Sequence, residues 1–237
     1  MIHSIASLCV IVFLLLVMPV WGWLDIRRLK REQTSVALTR TYVTTIGMMW
    51  LLAAVCAVLM PYALIWIAPP GLAAGMKLDF VPASAILGLV AGLLIGLCAP
   101  VIAARRHPEA VRTKLERIRF MLPTTSAQHW IFALVCLTAG VCEEWIYRGF
   151  LLHVLTTQLP SVNGWWLLLI QAVMFGIAHV YQGRPGTILT GVLGLILGVL
   201  YIATGSLLLP MILHALVDLR IFFLLPALRT RTMPTIA

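Results

Sequence analysis

Charged residues are scarce in this chain, 11% of 237 positions with only eight Asp and Glu, where soluble domains carry about a quarter. That shortage, with 62% hydrophobic residues and a mean hydropathy of +1.03, excludes a disordered segment, a nucleic-acid module and a secreted disulfide scaffold. Cysteine is also sparse. Cys9, Cys56, Cys98, Cys136 and Cys142 all fall inside apolar runs, are odd in number and lack ligand-type pairing, so they read as small apolar core residues. The net charge of +9 does not call for a nucleic-acid partner, because the Lys and Arg sit between apolar stretches and read as a record of membrane topology.

Those stretches are long enough to cross a bilayer. A spanning helix needs about 20 mostly apolar residues, since lipid leaves every backbone polar group to be satisfied within the segment. Seven stretches qualify or nearly so, at about 4–24, 42–68, 80–104, 128–155, 165–182, 187–204 and 207–225. The first lacks Lys or Arg ahead of its apolar run and a small-residue cleavage pattern, so it is expected to remain as a span. The expected fold is therefore all-α, a polytopic bundle of about seven transmembrane helices with the site in the last four. It divides into 1–127 (three spans and basic loops), 128–225 (a four-helix core) and 226–237 (a short tail).

Of the 17 Lys and Arg, one side of the membrane collects all but Lys77, opposite, and Arg148 and Arg220, within spans; the 25–41 and 105–127 loops, Arg184, Arg229 and Arg231 supply them. The positive-inside rule then places the amino terminus outside and the carboxy terminus in the cytosol. Gly88, Gly92 and Gly96 in the third span, and Gly194 and Gly198 in the sixth, are spaced for close helix approach within the chain, with homodimerisation as the alternative. Trp21, Trp23, Trp165 and Trp166 read as interfacial belts, and His129 and His153 as interfacial residues. Arg220 can snorkel to the headgroups. The 105–120 segment reads as an amphipathic helix on the anionic leaflet or as an orientation signal.

Ionisable groups inside spans are costly unless paired or hydrated, and they concentrate here in the last four spans. Span four reads CEEWIYRGF, with Glu143, Glu144 and Arg148; span five ends in FGIAH, with Phe175 and His179; span seven reads HALVD, with His214 and Asp218. Glu144 and Arg148, four apart, can pair along one face. Glu143 lies about 100° around the helix and needs partners from other spans. His214 and Asp218 are also four apart, so the carboxylate is expected to hydrogen-bond the imidazole and fix its tautomer. Counted from the non-cytosolic span ends at about 1.5 Å per residue, these groups reach overlapping depths, which predicts a wet cavity opening to the non-cytosolic side. Such a set can hydrolyse an amide: a buried carboxylate takes a proton from water while imidazoles position it or donate to the oxyanion. No activated Ser or Cys is visible, HExxH is absent, and no cofactor is expected; a metal is the disfavoured rival.

The order EExxxR (Glu143, Glu144, Arg148), FxxxH (Phe175, His179) and HxxxN/D (His214, Asp218) resembles the CPBP family of intramembrane proteases, over roughly residues 128–222. The family includes CAAX prenyl endopeptidases, bacteriocin self-immunity proteins and glutamic-type proteases. The resemblance implies that Glu143 activates water with His179, that His214 and Asp218 stabilise the oxyanion, and that Glu144 and Arg148, with Phe175, support the site. Better-known CAAX-processing members carry Asn where this chain has Asp218; either Asp218 is neutral or it orients His214. The resulting expectation is an endopeptidase acting on a membrane-anchored protein or peptide in the outer half of a bacterial inner membrane. Its partners are membrane lipid and that substrate. A non-catalytic adaptor or immunity protein and a small proton-coupled carrier are the alternatives.

Overall fold

A computed structural model describes residues 2–78 and 81–228; residues 229–237 of the expected tail, Arg229 and Arg231 among them, lie outside the described residues. Helix dominates, and the nearest approach to a sheet among the described residues is one antiparallel bridge between Ile67 and Ser206. Among the described residues, five helices are long and apolar enough to cross a membrane. Three are α1 (Ile5–Glu32), α2 (Ser35–Leu59) and α3 (Ala83–Arg106), and a short amphipathic α4 (Pro108–Glu116) follows them. The fourth is α5 (Ser126–Gln158), and the fifth carries α7 (Gly183–Thr204). The other two expected spans are shorter helices, α6 (Gly164–Ala178) and α8 (Leu208–Leu219). The molecule is an all-α multi-pass membrane protein.

The loop expected over 25–41 is almost entirely helical. Only Gln33 and Thr34 separate α1 from α2: Gln33 adopts φ 44°, and the Thr34 hydroxyl accepts from Ala37 N, capping α2 at once. The start of α5 is fixed by a capping box, in which Thr125 and Gln128 satisfy one another's backbone N–H groups. The Gln128 amide also reaches Ser35 O at 3.0 Å, tying α5 to the start of α2. At the opposite end, the Tyr201 hydroxyl donates to Ile67 O at 2.7 Å and anchors the connection after α2 to α7.

Helix α5 packs against α2 and α8, and α6 packs along α7. The approach of α5 to α8 is set at Gly140, where a Cβ would stand 2.8 Å from the backbone N of Ala215. Gly194 of α7 likewise leaves room for Phe175 and for the Arg148 guanidinium. The glycines of α3 behave differently: no residue of α3 is buried, and Cβ atoms at Gly88, Gly92 and Gly96 would meet nothing within 4 Å. Their expected close packing within the chain is therefore not made among the described residues. Cys56, Cys136 and Cys142 are buried, whereas Cys9 and Cys98 are exposed on outward helix faces rather than in the core.

Candidate active site

Glu143 and Glu144 are consecutive on α5 and face different surroundings. Glu144 is fully buried, and its Oε1 accepts from Arg148 Nη1 at 2.8 Å and lies 2.8 Å from His214 Nδ1. Arg148, also fully buried, donates through Nη2 to Gly194 O at 3.1 Å, and its guanidinium lies 4.2 Å over the Phe175 ring. Two charges thus cancel within a close, multiply hydrogen-bonded cluster joining α5, α7 and α8, as burial of ions requires.

Glu143 turns toward a cavity instead. Its Oε2 lies 3.8 Å from His179 Nε2 and 3.9 Å from His214 Nε2, and Asp218 Oδ2 lies 3.7 Å from the same His214 nitrogen. The structure therefore brings Glu143, His179, His214 and Asp218 together from three helices, with Phe175 between the two imidazoles at ring separations of 4.9 and 5.8 Å. Each imidazole is oriented from behind. His179 Nδ1 lies 2.8 Å from Phe175 O, which can only accept, so Nδ1 carries the hydrogen and Nε2 faces Glu143. His214 is held by Glu144 in the same sense.

This corrects one expectation. Asp218 does not fix the His214 tautomer, because 3.7 Å exceeds a hydrogen bond and Nδ1, the anchored nitrogen, is on the other side of the ring. Helical i,i+4 spacing allowed that pair; the tertiary contact with Glu144 took the imidazole.

A cavity of about 280 Å³ adjoins Glu143, His179 and Asp218, between α1, α2 and α5. From Leu14, Leu52 and Tyr147 it runs past Glu143 to Leu29, Thr41 and Phe132, the end where the basic segments gather. The cavity thus extends toward the basic end as well as toward the side on which an opening is expected. Helix α6, with 15 residues, is only about 22 Å long, and α5, with 33, is about 50 Å, so their ends do not mark common membrane surfaces and depth counted from them misleads. Trp21, expected in a belt, lines this cavity, while Trp165 and Trp166 are exposed. His153 is buried rather than interfacial, because α5 continues beyond it to Gln158.

Three features of the site were not read from the sequence: the Glu144–His214 contact, the Gly194 carbonyl that takes Arg148, and Tyr147 in the cavity wall. Only the last carried a signal, its i+4 spacing from Glu143.

Residues 125–220 match the family model described as type II CAAX prenyl endopeptidase Rce1-like. No curated protein and no solved structure gives a match. The resemblance carried by the three motifs is borne out over this segment, which is similar to the Rce1-like model and contains every residue of the cluster.

Proposed function

We propose that the chain is a glutamic-type intramembrane endopeptidase in which Glu143 activates the attacking water. The observation that carries this reading is the pair of separations from Glu143 Oε2, 3.8 Å to His179 Nε2 and 3.9 Å to His214 Nε2. Both are too long for direct hydrogen bonds and suit a bridging water. Glu143 takes one proton from that water as its oxygen adds to the peptide carbonyl; the other hydrogen stays on that oxygen and donates a hydrogen bond to His179, bare at Nε2, which orients the attack. His214, anchored through Nδ1, donates from Nε2 as imidazolium to the developing oxyanion. The proton on Glu143 then passes to the leaving nitrogen as the C–N bond breaks. Asp218 borders this space and does not hold His214.

The basic residues at the cavity's end support, by the positive-inside rule, a site entered from the cytosol. The substrate is then a membrane-anchored protein or peptide reaching the cavity from that side, in a bacterial inner membrane or its equivalent. Terminal-peptide proteomics on membranes carrying the wild-type chain or Glu143→Gln at matched expression tests the reading. New termini confined to wild type are expected; identical profiles overturn it.

A further inference from the structure

We infer that the hydroxyl of Tyr147 donates a hydrogen bond to a backbone carbonyl of the peptide held in the cavity. The inference rests on the protease reading and adds to it a substrate-contacting residue. Tyr147 lines the cavity with Glu143, four residues away on α5, within a π-helical segment, Trp145–Leu151. Such segments occur often at functional sites. The ring is fixed relative to the reacting groups: it meets Phe175 edge-on, centroids 5.0 Å apart at 78°, and Phe175 in turn contacts His179, His214 and Arg148.

The chemistry of the hydroxyl points to its partner. Tyr147 is 2% exposed, and its oxygen is shielded from solvent with no hydrogen-bond partner among the described residues. The other buried tyrosines of the core do not share this condition. Tyr42 donates to Met121 O at 2.6 Å, and Tyr201 donates to Ile65 O at 3.1 Å and Ile67 O at 2.7 Å. The other two buried phenols among the described residues are thus satisfied by backbone carbonyls, and the exception belongs to a residue of the cavity wall. A peptide drawn between helices brings carbonyls that have lost water, and an unpaired carbonyl there is as costly as an unpaired hydroxyl. Phenylalanine would fill the same space, so the hydroxyl is a net cost to the empty protein that a bound carbonyl removes.

The test compares wild type, Tyr147→Phe, Tyr147→Leu and Glu143→Gln in detergent, on a synthetic peptide spanning a bond whose new termini appear only with the wild-type chain. Tyr147→Phe is expected to melt at or above the wild-type temperature while losing about tenfold to a hundredfold in kcat/KM, chiefly through KM. Tyr147→Leu, which loses the ring, should melt lower. Unchanged kcat/KM in Tyr147→Phe beside an inactive Glu143→Gln overturns the role of Tyr147 and leaves the protease reading standing. A lowered melting temperature in Tyr147→Phe also overturns it, since the hydroxyl is then structural. Turnover by Glu143→Gln removes the glutamate mechanism alone, and the absence of any termini specific to wild type removes both readings.

Discussion

Glu144 and His214 meet at 2.8 Å, carboxylate to Nδ1, in a site from which solvent is excluded. The same carboxylate oxygen takes Arg148, so one atom of α5 fixes an imidazole on α8 and neutralises the guanidinium that reaches α7. Consecutive glutamates separate two tasks because a helix turns them about 100° apart. Glu144 builds the frame, and Glu143 is left facing the cavity.

That separation predicts opposite signatures for two isosteric changes. Glu144→Gln leaves Arg148 buried without its counter-charge and is expected to cost about 3 kcal/mol, read as a lower melting temperature in detergent together with lost cleavage. Glu143→Gln, at the cavity wall, should abolish cleavage and melt near wild type. Equal melting temperatures for the two variants would contradict this division of labour.

Asp218 approaches His214 without a hydrogen bond, and its charge borders the space proposed for the oxyanion. Asp218→Asn should therefore cleave at no less than the wild-type rate, since a carboxylate there repels what an amide can stabilise. A tenfold or greater fall in kcat/KM would show that the charge itself is required.

Close helix approach makes a third prediction. A Cβ at Gly140 stands 2.8 to 2.9 Å from Ala215, so Gly140→Ala must push α8 from α5 and draw His214 off Glu144; overpacking of this kind costs about 1–3 kcal/mol. At Gly88, where a Cβ meets nothing within 4 Å, alanine should be neutral or stabilising by up to about 1 kcal/mol. Thermal unfolding of the two variants, with cleavage measured alongside, checks the contrast.

Much of this was legible in the sequence, for identifiable reasons. Charges in apolar runs must converge, so the scarcity that marks a membrane protein also marks Glu143, His179, His214 and Asp218 as residues to bring together. The all-α fold followed from run length alone. Boundaries were less legible: hydropathy registers where lipid begins, not where a helix does, and α2 starts in polar sequence at Ser35 because Thr34 caps it there. The partner of His214 was hidden for a related reason. Local spacing offers Asp218, and only the tertiary approach at Gly140 presents Glu144 instead.

The course of the cavity gives the last prediction. Thr45 lies in its wall on α2, between Leu52 at the deep end and Thr41 toward the basic segments, and is only partly buried, so a larger side chain there can be housed in the cavity without displacing the core. If substrate enters from the basic end, an indole at this position stands in its path. Thr45→Trp should raise KM about tenfold or more, with a smaller change in kcat, because it obstructs binding and leaves Glu143, His179 and His214 untouched. Kinetics on the peptide substrate, with melting temperature as the folding control, decide the matter. Wild-type KM in a normally folded Thr45→Trp protein would mean that the peptide reaches Glu143 by another route, and the cytosolic entry drawn from the basic segments would fall with it.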